Sequence, residues 1–211
     1  MSEIDPPIPV GNGSENGSTN GGGPPMPPLQ SRPARTPPAF ASPIVDVSTA
    51  PPDGSGVMLG DLSHLTKVLV RVTATSGTPL GPFFGSSEVR GDALVCGTRP
   101  QEWTVIGDNP SVADVLEQAD GYFVDITHAR ALVEVAGPEA ARTLEKVCSV
   151  DWSDRMTPDG AVLSASVAKV TCDVIRRDRN GSAVYFLMTD RSYGQYLFDA
   201  LADATTEFVT G

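Results

Sequence analysis

His64 and His128 are the only histidines in the chain, and each closes a four-residue stretch headed by aspartate: D-L-S-H at 61–64 and D-I-T-H at 125–128. Two imidazoles and two carboxylates form a donor set that a zinc ion accepts. The spacing argues against a metal site, since ligands so far apart define no local geometry and no third His or Cys follows at ligand distance. The cysteines, Cys96, Cys148 and Cys172, are odd in number, scattered and without a C-x-x-C. Nothing around them suggests a lowered pKa, so a Cys–His nucleophilic pair has no support. The residues favour a structural reading. Aspartate at the head of each stretch bonds the backbone two residues on, an Asx turn that leads into the strand behind it. K-V-L-V-R-V follows the first stretch and A-L-V-E-V-A the second. The two histidines thus mark equivalent turns of a degenerate duplication, and each is expected to be a structural side chain with satisfied hydrogen bonds.

The elements that must position these turns begin after a long biased stretch. Residues 1–56 are so rich in Pro, Gly, Ser and Asn that they cannot build a core, and they read as a disordered tail. Within it, P-P-M-P-P-L-Q-S-R-P-A-R-T-P-P samples polyproline II, and P-I-V-D-V-S around Ile44 to Val47 has enough strand character to pair with an exposed sheet edge. Residues 57–211 form the folded part, large enough to bury about two-thirds of its unfolded surface without disulfide or structural metal.

The pattern predicts strands over 66–73, 93–97, 102–107, 121–124, 130–137, 161–170, 172–178 and 183–189. Residues 76–91 carry too many Gly and Pro for a regular element. Helices are expected at 109–119, with Asn109 as cap and Pro110 in the first turn, and at 138–148 behind Gly137-Pro138. A last helix follows a Ser192/Gln195 capping box, with an apolar stripe of Tyr193, Tyr196, Leu197, Ala200, Leu201 and Ala204. Asn180-Gly181 marks a hairpin turn. Strands outnumber helices and meet mostly through hairpins, so the class is α+β: antiparallel sheet covered on one face by helices, in two pseudo-repeated halves.

The net charge of −11 lies mostly in the folded part. An acidic surface gains nothing from phosphate contacts and repels anionic lipid, which lowers nucleic-acid and membrane roles and leaves a protein partner or a small molecule. Unpaired cysteines, and no apolar run behind an early positive charge, point to the cytoplasm.

The motifs E-W at 102–103, V-D-I-T-H-A-R-A-L-V-E-V-A-G-P-E-A-A-R-T-L at 124–144, C-S-V-D at 148–151 and D-R-S-Y-G-Q-Y-L-F-D-A-L-A-D-A at 190–204 resemble the gamma subunit family of heterotetrameric sarcosine oxidase. That family is itself similar to the folate-binding domain of glycine-cleavage aminomethyltransferase. The resemblance covers nearly all of the folded part and is most specific from Val124 to Asp151. It implies an accessory, non-catalytic subunit of an assembly that oxidatively demethylates sarcosine to glycine, releasing hydrogen peroxide and a one-carbon unit. Its partners would be larger flavoprotein subunits carrying the flavins, NAD and tetrahydrofolate, with no cofactor on this chain. The chain agrees in having neither a G-x-G-x-x-G behind a strand nor a P-loop. The alternative is a free-standing folate-binding or one-carbon transfer protein of the aminomethyltransferase type. Its acid would be Asp173 in K-V-T-C-D-V, although the glycines of that family's approach are absent, and Asp173 reads more readily as an exposed residue on a hairpin strand.

Overall fold

The computed structural model describes residues 39–51, 55–72 and 80–208. Ten strands and three helices alternate in an order that repeats. The first half holds β1 (Met58–Asp61), β2 (Thr66–Arg71), β3 (Ser87–Arg90), β4 (Ala93–Arg99), β5 (Glu102–Gly107) and α1 (Asn109–Leu116). The second holds β6 (Tyr122–Asp125), β7 (Arg130–Ala136), α2 (Ala140–Val147), β8 (Val162–Val167), β9 (Val170–Arg176), β10 (Val184–Asp190) and α3 (Gly194–Thr205). A single 3-10 turn at Arg191–Tyr193 precedes α3.

The strands form two five-stranded sheets, β1-β7-β10-β9-β8 and β3-β4-β5-β2-β6. All pairings within them are antiparallel. The two orders match once β1 through β5 are equated with β6 through β10, except that each half gives its first strand to the other half's sheet. β1 lies against β7 and β6 against β2. The duplication expected from the paired tetrapeptides is thus present in the topology, and α2 is an insertion between β7 and β8 that the first half lacks at the described residues.

Side-chain alternation builds the layers. Between the sheets, Cys96 and Ile106 meet Leu132, Ile175, Val184, Phe186 and Met188. On its other face the first sheet packs Val133, Val135, Val174, Tyr185 and Leu187 under Leu144 of α2 and Leu197, Phe198 and Leu201 of α3. The second sheet packs Val68, Val70, Val95, Trp103 and Val105 under Val112 and Val115 of α1. Each sheet therefore has helices on one face only, the α+β class read from the sequence. Burial of Trp103 and Ile106 follows the same pattern.

Several local expectations held. Asn180 and Gly181 take φ of 53° and 78°, and Arg179 and Ser182 exchange two 2.9 Å backbone bonds across them. Gly137 leaves β7 at φ 112°, and a Cβ there would come within 2.6 Å of the Gly56 carbonyl oxygen, so only glycine fits. Others are corrected. The cap of α1 is Asp108 rather than Asn109, which is already helical. The stretch 76–91 contains β3, because pairing with β4 overrides its glycines. The run 161–170 is broken at Ala168-Lys169, both at positive φ, so the hairpin between β8 and β9 turns there. Ser192 and Gln195 form no capping box, since the Gln195 amide is engaged by residues 45 and 46. The buried face of α3 runs through Leu197, Phe198, Leu201 and Ala204, while Tyr193 and Tyr196 are exposed.

The compact unit begins at Ala39, so described residues ahead of Val57 pack on the fold. Ile44 is buried in the core beneath α3. Gln195 Oε1 accepts from the N–H groups of Val45 (2.7 Å) and Asp46 (3.0 Å), and Arg191 donates to the Ala41 carbonyl at 2.6 Å. Ser42 donates to Asp61. The P-I-V-D-V-S segment thus docks through a side-chain clamp rather than as the added strand its composition suggested. The first 38 residues, with the polyproline stretch, lie outside the described residues.

Candidate functional site

The two tetrapeptides form one interlocked structure. Asp61 Oδ1 accepts from the Ser63 N–H at 2.9 Å and Asp125 Oδ1 from the Thr127 N–H at 2.8 Å, the two Asx turns expected. Each turn's hydroxyl then serves the opposite half: Ser63 Oγ accepts from Leu132 N at 3.0 Å, and Thr127 Oγ1 from Lys67 N at 2.9 Å. The backbone repeats the exchange, Leu62 N donating to Leu132 O and Ile126 N to Lys67 O, both at 2.9 Å. His64 and His128 sit on the outside of these turns and are exposed, with the Phe40 ring 5.3 Å from His128. Among the described residues no group of three or more His, Cys, Asp or Glu converges as a metal site.

Beneath the turns lies Lys67, wholly buried. Its ammonium donates to the carbonyls of Ser63 (2.8 Å) and Leu65 (2.7 Å). Burial lowers its pKa to about 8, against the pull of Asp61 and Asp125. Bonds from Thr127 hold the Asp125 carboxyl below the usual carboxylate range.

A second polar group lies between the sheets. Burial alone would raise the Glu102 carboxyl, but bonds from Arg71 (2.6 Å) and Arg99 (3.0 Å) outweigh it and hold it low. Arg99 also stands 3.9 Å from Asp173. Asp173 is buried at 7% exposure, which corrects the expectation of an exposed hairpin residue: its side of β9 faces the other sheet. Burial pushes the neighbouring Cys96 thiol up, with Asp173 adding to it, and pushes Cys172 up to about 12. Both thiols are held protonated, the opposite of an activated nucleophile. The structure therefore brings Asp173 together with Arg99 and Cys96, and leaves it apart from the histidine turns. A cleft of about 210 Å³ opens elsewhere between the sheets, lined by Leu62, Leu65, Leu94, Ile106, Leu132 and Phe186, with Asp92, Asp108 and Arg179 as its polar members.

No family model matches the chain. A curated relative, the sarcosine oxidase subunit gamma of Corynebacterium sp. (strain U-96), is 27% identical over 147 residues, covering 65% of this chain and 68% of the relative. The chain resembles the gamma subunit of sarcosine oxidase. Its fold agrees: a chain of the solved heterotetrameric sarcosine oxidase from Corynebacterium sp. U-96, in complex with pyrrole 2-carboxylate, superposes with a TM-score of 0.64 at 20% identity. That match covers 78% of this chain and 91% of the other. On this gamma-like fold the motif block from Val124 to Asp151 spans the second Asx turn and β7, both bonded to the first half, and α2.

Two features of the gamma-like chain escaped the sequence reading. Lys67 looked like an ordinary strand lysine in T-K-V-L-V-R, and only its zero exposure reveals its place under the turns. Tyr122-Phe123-Val124 read as a strand, which it is, yet all three side chains are exposed. The signal was present in the neighbouring acidic residues, unusual beside a buried strand.

Proposed function

We propose that the chain is the gamma-type accessory subunit of a heterotetrameric sarcosine oxidase, an assembly that oxidatively demethylates sarcosine to glycine with release of hydrogen peroxide and a one-carbon unit. The observation that carries this reading is the sequence match to a sarcosine oxidase subunit gamma over 147 residues, on the same fold. In this role the chain holds larger flavoprotein subunits in place and contributes no reacting group. Flavins, NAD and tetrahydrofolate belong to those partners, and the assembly works in the cytoplasm. The state of the chain's own polar groups supports a structural part: Glu102 is tied to two arginines, the Cys96 and Cys172 thiols are kept protonated, and Lys67 is sealed beneath the turns. No helix among the described residues is long and apolar enough to cross a membrane. The test is co-purification with the products of the neighbouring genes. A complex containing two larger flavoprotein chains is expected, whereas a chain that elutes alone beside an intact flavoprotein overturns the reading.

Asp173 favours a second reading, a free-standing folate-binding or one-carbon transfer protein. Its carboxyl is buried between the sheets beside one partly exposed arginine. Calorimetric titration of tetrahydrofolate into the chain separates the two: saturable heat weakened by Asp173→Asn supports the folate protein, and absence of heat removes it.

A further inference from the structure

The two sheets end on equivalent edge strands, and the chain treats them differently. β1, at the edge of the first sheet, is tied through Asp61 to Ser42 of the docked segment, and Leu59, Gly60 and Asp61 are buried or half-buried. β6, its counterpart, pairs with β2 on one side, and nothing among the described residues pairs with the other. All four of its residues are exposed, Tyr122 at 67%, Phe123 at 45% and Val124 at 52%. It carries none of the lysine, proline or bulge that proteins place on bare edges to prevent pairing.

Register fixes which backbone groups are free. Ile126 N donates to Lys67 O, so in the alternating antiparallel ladder Val124 and Tyr122 exchange bonds with β2. Phe123 and Asp125 then point their N–H and C=O groups outward. An added extended backbone satisfies two residues of donors and acceptors at strand spacing. The apolar side chains, alternating to the two faces, offer contact surface to an added strand on both sides.

Charge selects the occupant. Asp120 and Asp125 flank these side chains, both exposed, and from Asp120 to Ala129 the chain has no lysine or arginine. A second copy of this strand would bring only further carboxylates to that edge, so its flanks disfavour self-pairing and favour a basic partner. We propose that the outer edge of β6 accepts an extended segment of a partner chain, with apolar residues alternating with Lys or Arg, which joins the second sheet as a sixth strand. This does not depend on which assembly the chain serves.

The test uses the full chain, isotopically labelled, and the peptide Lys-Val-Thr-Val-Lys-Val-Lys. Two control peptides carry Glu in place of every Lys, or N-methyl groups on alternate residues. The expected result is saturable binding that slows amide exchange of Phe123 and Asp125 by about tenfold or more. Added salt should weaken it, and both controls should fail to bind. Phe123→Lys, on an exposed side chain, should weaken binding at least about tenfold with the fold kept. No protection at millimolar peptide, or equal binding of the Glu peptide, overturns the proposal. So does protection already present in the free chain: if it grows with protein concentration the edge belongs to a second copy, and if it does not, to the chain itself.

Discussion

Lys67 and Leu132 stand at equivalent places in the two halves, since each donates its N–H to the opposite turn's hydroxyl and accepts from the residue before that hydroxyl. One is a buried leucine and the other a buried ammonium, whose charge the two Asx-turn aspartates offset only in part. Folding thus disfavours the proton on Lys67. Between about pH 8, where the folded amine titrates, and about 10.5, where the unfolded one does, the unfolded chain binds more protons, and stability contributed by this site rises with pH. Buried thiols act in the opposite sense from their unfolded pKa upward, so the clean measurement is a difference. Denaturant unfolding of wild type and Lys67→Met across pH 7 to 10.5 should show wild type gaining on the variant above pH 8, by at most about 1.4 kcal/mol per pH unit. A difference independent of pH would mean that the ammonium is solvated. At this scale the Asx turns were legible, because Asp followed two residues on by Ser or Thr specifies its own backbone bonds. Lys67 was not: its burial depends on the Ser63 and Leu65 carbonyls that only the folded turn turns inward.

Among the elements, α2 shows what periodicity can carry. Its apolar face places Ala140 and Leu144 in the core of the first sheet at zero exposure, as the spacing indicated. Leu144→Ala should cost roughly 2 to 5 kcal/mol by chemical denaturation, and a loss under half a kilocalorie would place the helix elsewhere. The failures share a cause. Gln195 could have closed a capping box by local geometry, but residues 45 and 46, about 150 positions away, offer three bonds to its amide. The stripe on α3 went astray for a related reason: Tyr196 has apolar character, yet its hydroxyl reaches the Ala168 carbonyl at 3.1 Å and keeps the ring at the surface. β3 is too short and glycine-flanked to announce itself, and exists because β4 supplies its ladder. Local propensity names an element when nothing distant outbids it.

For the whole molecule the question is where the fold starts. Composition sets the boundary near residue 56, because a segment made of Pro, Ser, Ala and a few aliphatics cannot form its own core. It can still lend a residue to another core, and Ile44 does so at 4% exposure beneath α3. Ile44→Ala should therefore cost roughly 2 to 4 kcal/mol, where a residue of a free tail would cost nothing measurable by the same denaturation. The α+β class and the duplication were readable from alternation and from the paired tetrapeptides. The exchange of first strands was not, since β1 and β6 are short and their partners lie in the other half. That exchange sets a timetable for synthesis. β1 emerges from the ribosome with no strand to join until β7 follows, because Met58 pairs with Ala136, and β2, which joins β5 within the first half, keeps its other side open until β6 follows. The first half cannot finish either sheet while it is the only half made, so the nascent chain holds two unfilled edges through the translation of everything from β3 to α1 and is then completed at both within a few residues.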